Sequence, residues 1–173
     1  MEAKTFKIVN AQSNIDWVGR KVTGAHNGTI AIKEGELVLK DGKLDGGRFV
    51  VDTSSIKILD ITDPVTNAQF AGHLASDDFF STDKYPEAIF EIVSVSGLFV
   101  VGDLTIKGIS RPAALNVAVD VNGDRLTATG KLMIDRTEYG MKFRSGNFFK
   151  DLGDNLIYND FELKINITAG KIE

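Results

Sequence analysis

The side chains best equipped for chemistry fall in one short stretch, where His73, Ser76, Asp77 and Asp78 put an imidazole, a hydroxyl and two carboxylates close together in sequence. Such a set invites a hydrolase reading, with His73 and Asp78 acting on a small ester or sugar. Triads are assembled by geometry and not by adjacency, so the plainer reading weighs more: Ser76 or Asp77 ends a helix, and His73 bonds to nearby backbone. The chain has no cysteine and only two histidines, His26 and His73, which removes thiolate chemistry and a three-histidine metal site. The carboxylate clusters Asp77-Asp78 and Asp151 to Asp154 lack calcium-loop spacing and read as solvated loop charge. No G-x-G occurs, which excludes the dinucleotide fingerprint, and no G-x-S-x-G elbow is present. Gly42-Lys43, Gly130-Lys131 and Gly170-Lys171 are followed by Leu or Ile where a phosphate loop needs Ser or Thr. Neither a cofactor nor a metal is expected.

A second group of polar side chains reads as a binding rim. Arg136-Thr137-Glu138-Tyr139-Gly140, continued by Met141, Lys142, Phe143 and Arg144, mixes cations with aromatic and flexible apolar groups. It can receive an anionic head group while a tail lies deeper, or it is a polar loop with an internal Arg–Glu pair. The aromatic inventory of eleven Phe, three Tyr and one Trp suits either a filled core or a lined interior. Phe70, Phe79, Phe80, Phe148 and Phe149 fall in helical or connecting segments, where they are placed to plug or line an opening. Twenty basic against 24 acidic residues, a net charge of −4, leave no surplus to grip nucleic acid. The longest apolar run, Leu98-Phe99-Val100-Val101, is too short to span a bilayer. Met1 to Ile8 carries no export leader, so as written the chain is expected in the cytoplasm, or in the periplasm if a leader has been removed.

Positioning these groups falls to strands. At 173 residues the chain reads as one domain over 1–173. Phe161, Leu163, Ile165 and Ile167 alternate with Glu162, Lys164, Asn166 and Thr168, a strand with one wet face. The same period of two runs through Ile15 and Trp17, Thr29 to Leu39, Phe49 to Thr53, Ala88 to Ile92, Val100 to Ile106, Leu115 to Val121 and Leu126 to Ile134, giving about eight strands. With 17 Gly and 3 Pro the turns are glycine turns, and hairpins are expected at Asn27-Gly28, Asp41-Gly42 and Asn122-Gly123. Asp63-Pro64 opens a short helix with Phe70 and Leu74 on one face, and Ser145 to Gly153 predicts a second. One dry face shared by so many strands is hidden most simply by closing the sheet into an antiparallel barrel, although two packed sheets satisfy the same alternation.

At this point the order of motifs resembles the YceI-like family. The residues are His73-Leu74-x-Ser76-x-Asp78-Phe79-Phe80, then Tyr85-Pro86-x-Ala88-x-Phe90, then Gly102-x-Leu104-Thr105-Ile106-Lys107-Gly108-x-Ser110-Arg111-Pro112. Ser13-x-Ile15-x-Trp17, Gly47-x-Phe49-x-Val51-Asp52 and Arg136 to Gly140 extend the likeness over nearly the whole chain, with Lys107 where many relatives carry His. The resemblance implies an all-β, eight-stranded antiparallel lipocalin-like barrel with one or two short helices, usually a homodimer. It also implies a non-catalytic protein that binds, carries or sequesters a long-chain isoprenoid or similar amphipathic lipid. Carried onto this chain, the lining is Trp17, Phe49, Phe90, Leu104, Ile106, Leu132, Phe161 and Leu163, with Phe70, Leu74, Phe79 and Phe80 at the entrance. His73, Arg136 and Arg144 are the candidate head-group contacts. Against it stand the small-substrate hydrolase and a filled barrel that serves only as an interaction module.

Overall fold

Apolar alternation organises almost every segment of the computed structural model, which describes residues 3–21, 24–141 and 157–172. The strands are β1 Ala3–Ile8, β2 Asn14–Lys21, β3 Gly24–Lys40, β4 Lys43–Asp52, β5 Lys57–Ile58, β6 Glu87–Ser96, β7 Phe99–Ile106, β8 Ile109–Asn122, β9 Arg125–Asp135 and β10 Ile157–Lys171. Every pairing is antiparallel, and the order β2-β3-β4-β6-β7-β8-β9-β10 closes because β10 pairs with both β9 and β2. Eight positions make the ring. β1 shares one of them with β2, since β1 pairs with the far stretches of β10 and β3 that β2 does not reach, and the helical turn Asn10–Gln12 joins the two. The expected barrel is therefore present, and closure leaves no long unpaired edge in the ring.

Turn chemistry explains the hairpins. Asp41 and Gly42 both have positive φ in the two-residue β3–β4 loop, and Gly123 starts the β8–β9 loop, as the sequence predicts. Gly97-Leu98 and Lys107-Gly108 make two further tight turns, the second with a lysine at φ 54°. Asn27-Gly28 is a correction: it lies inside β3, opposite Val18 and Trp17 of β2, and is not a turn. A Cβ at Gly28 would sit 1.7 Å from the Lys57 carbonyl oxygen and 2.7 Å from Trp17 Cζ2. Glycine is there so that β5 can lie against β3, not to reverse the chain.

One helix is described, α1 Pro64–Ala75, capped by Asp63, whose carboxylate accepts from the Thr66 N–H at 3.1 Å. Asn67 Nδ2 donates to the carbonyls of Ile58 and Ile61, which ties α1 to β5. The helix expected at Ser145 to Gly153, with Phe148 and Phe149, lies outside the described residues.

The barrel interior differs from end to end. The β3–β4, β6–β7 and β8–β9 turns mark one end, which holds Phe6, Leu37, Leu39, Val100 and Leu126. Phe6 and Val100 are 1% exposed and Leu126 0%, so no water-sized space adjoins them. The opposite end is where α1, the Lys107-Gly108 turn and the Arg136–Tyr139 turn gather.

Candidate ligand cavity

Inward rows of β2, β3, β4, β6, β7, β9 and β10 converge at the α1 end around a cavity of about 320 Å³. All twelve residues expected to line a lumen border it: Trp17, Phe49, Phe70, Leu74, Phe79, Phe80, Phe90, Leu104, Ile106, Leu132, Phe161 and Leu163. Ile15, Ile30, Val51, Ala88 and Ile165 complete the apolar wall and belong to the same alternating rows. Phe70 and Leu74, four residues apart, bring one face of α1 to this space. Phe49 and Phe90 lie side by side on neighbouring strands, with ring centroids 5.5 Å apart and planes tilted by 36°.

Polar groups also border the cavity. Arg20, Lys21, His26, His73 and Arg136 border the cavity with Thr53 and Asp160, so its polar lining holds three cationic side chains and two imidazoles beside one carboxylate. The expected contacts His73 and Arg136 are both there, while Arg144 lies outside the described residues. Sequence reasoning did not place Arg20, Lys21 or His26 at the site. For His26 a signal existed, since it shares its strand parity with Ile30.

Two imidazole–carboxylate pairs bracket α1. His26 Nδ1 lies 2.7 Å from Asp60, whose other oxygen accepts from the Asn27 N–H at 3.0 Å, and the His26 ring meets Phe70 edge-on at 4.8 Å. Burial alone would raise the Asp60 pKa, but the His26 and Asn27 hydrogen bonds outweigh it and hold the carboxyl below its ordinary range. His73 Nε2 lies 2.9 Å from Asp78, and its ring meets Phe79 edge-on at 5.1 Å. An ionised carboxylate only accepts, so in each pair the facing ring nitrogen is the donor.

Next to them, Ser76 Oγ donates to the His73 carbonyl at 2.5 Å, a helix-terminating bond of the kind the plainer reading expects. Ser81 Oγ donates to Asp77, which together with Lys84 lowers the Asp77 pKa, and Lys107 Nζ reaches the Asp77 carbonyl at 2.8 Å. Burial pulls the Lys107 pKa down, while Asp77 and Asp78 oppose that. These bonds pin the chain after α1 to the β7–β8 turn.

Among the described residues Arg136 is the most enclosed charged group, at 3% exposure. Its Nη1 donates to the Met141 carbonyl at 2.7 Å, and its guanidinium carbon stands 5.7 Å from the centroid of the Phe79 ring. Burial pushes its pKa down and Asp135 partly restores it, yet a guanidinium stays charged under any ordinary condition. The result is a largely apolar cavity with a buried, fixed positive charge in its wall.

A closed eight-stranded antiparallel barrel whose helix-covered end opens on an apolar cavity is a lipocalin-like fold. The chain belongs to the YceI-like domain family, whose model it matches over residues 6–169. Among solved structures it resembles BcnA of Burkholderia cenocepacia, with a TM-score of 0.72 and 23% identity over 94% of this chain and 99% of that one. It also resembles a polyisoprenoid binding domain from Saccharophagus degradans implicated in plant cell wall breakdown, with a TM-score of 0.66 and 15% identity over 96% and 98%. At those identities the likeness is one of fold. UPF0312 proteins of Staphylococcus aureus are 41% identical over 80 residues, which are 41% of this chain and 46% of theirs. The matched stretch is thus under half the length of those curated relatives.

Proposed function

We propose that the protein binds, carries or sequesters an isoprenoid or similar amphipathic lipid, without catalysis, holding the apolar tail in the cavity and the polar end at His73 and Arg136. The observation that carries this is the convergence of aromatic and aliphatic side chains from seven strands and α1 on one space, which Arg20, Lys21 and Arg136 also border. Burying ten methylenes contributes roughly 8 kcal/mol before ordering costs, so a tail supplies useful affinity by itself and the rim needs only to orient the head. The polyisoprenoid binding named for the Saccharophagus domain supports the choice of ligand class.

Organic extraction of natively purified protein followed by mass spectrometry is expected to release one amphiphile per cavity. A preparation that is empty and also takes up no isoprenoid would end the proposal. The hydrolase reading is weaker because Ser76 gives its proton to a backbone carbonyl. If His73→Ala abolished turnover of an ester or sugar while the fold persisted, that reading would replace ours. As the family resemblance implies, we also propose a homodimer, which light scattering on the eluting protein tests directly.

A further inference from the structure

The cavity stops half-way down the barrel, and its floor is built from identifiable side chains. The Phe90 ring extends over Gly102 of β7, where a Cβ would lie 2.6 Å from its Cζ. Below that level Leu115 occupies the space above Gly130, where a Cβ would lie 2.8 Å from its Cδ1. Inward glycines at these two points let large side chains cross the lumen, and with Phe49 beside Phe90 they close it.

Resting on the reading that this cavity holds an apolar tail, the geometry points to a chain-length limit: the cup accepts a tail of about ten to fifteen carbons, and Phe90 with its glycine seat sets that limit. The size follows from volume. A cavity of about 150 Å³ encloses one benzene, so a space of about 320 Å³ encloses on the order of ten to fifteen carbons. A longer tail that enters beside α1 meets the Phe49–Phe90 floor and leaves its excess in water, where it adds no affinity.

The test uses prenyl alcohols of ten, fifteen and twenty carbons, read through Trp17, which lines the cavity and is the only tryptophan. Each added buried methylene tightens binding by about three- to fourfold, so the fifteen-carbon alcohol is expected to bind far better than the ten-carbon one. The twenty-carbon alcohol is expected to gain less than about fivefold more, and a larger gain overturns the limit. In Phe90→Leu the floor opens and the twenty-carbon alcohol should regain a large advantage. In Ile15→Phe, which puts a bulkier group into the space itself, the fifteen-carbon alcohol should lose its advantage over the ten-carbon one. Should Phe90→Leu fail to fold, Ile15→Phe and the wild-type series still decide. Binding of all three alcohols with no break refutes the limit alone, whereas binding of none refutes the proposed function with it.

Discussion

Gly28→Ala is the sharpest test of how the site is held together. In the native chain a Cβ at position 28 would stand 1.7 Å from the Lys57 carbonyl oxygen, and ordinary contact begins near 3.4 Å. β5 must therefore retreat by about as much again as the present gap, and neither strand has a flexible side chain at the contact that can yield instead. That retreat removes the Gly28–Ile58 and Thr29–Lys57 pairings and the Leu59 N–H bond to the Asn27 carbonyl at 3.0 Å. It also draws Asp60 away from His26 and loosens the Ile58 anchor of α1. Three or four hydrogen bonds at about 0.5–1.5 kcal/mol each, less the ~0.4–1 kcal/mol that alanine gains by restricting the unfolded chain, leave a loss of about 2–3 kcal/mol. Urea unfolding followed by Trp17 emission should show a lower midpoint at unchanged slope. Gly170→Ala, at a strand glycine with nothing near its Cβ position, should be neutral or mildly stabilising. If Gly28→Ala behaved like Gly170→Ala, the account of β5 as a strap pressed on β3 would be wrong.

Other expectations follow from single groups. Asp63→Ala removes the cap of α1 and should cost about 1 kcal/mol of helix stability, read as faster amide exchange in Pro64–Ala75. The Thr66 bonds hold the Asp63 carboxyl below the ordinary 3.8, so the cap is intact above that pH and is lost as pH falls through the lower folded value; the same exchange measurement in acid checks the sign. Burial, aided by Glu138, pushes Tyr139 up to about 12, so one of the three tyrosines should ionise late in an ultraviolet titration. The stability linked to it is whole below about 10, the ordinary phenol value, and declines as pH rises toward 12. Because the tail supplies the affinity, raising salt from about 0.05 to 0.5 M should change the dissociation constant of a neutral prenyl alcohol by less than about threefold.

The barrel was legible because alternation is a strong signal wherever one face is dry, and the same alternation points to residues that border the cavity. Trp17, Phe49, Leu132 and Leu163 lie in inward rows, so parity alone brings them to the interior. Parity carries no information on depth. Leu126 and Leu132 belong to the same row of β9, yet one is packed solid and the other faces open space. What separates them is the side chains of other strands, which no local pattern records. Asn27-Gly28 misled for a related reason: the dipeptide suits a hairpin turn, but a close approach by a strand 30 residues away makes the same demand for glycine. Lys107-Gly108 went unread because lysine is an uncommon residue at positive φ.

That division into a filled end and an open end makes opposite demands on one strand. Leu126 is 0% exposed, and truncating it to Ala leaves an enclosed void that its neighbours only partly fill, at a cost of about 2–5 kcal/mol. Leu132 already borders empty volume, so Leu132→Ala enlarges an existing space instead of creating one and should cost roughly half as much. Ligand binding should rank the two variants the other way. Leu126→Ala should leave the affinity of the folded protein for a fifteen-carbon prenyl alcohol unchanged, because the cavity does not touch it. Leu132→Ala removes wall contacts and should weaken that affinity by about tenfold, the equivalent of 1.4 kcal/mol. Equal effects of both substitutions on stability and on binding would mean that the lumen is one continuous space, and that the floor at Phe90 does not divide it.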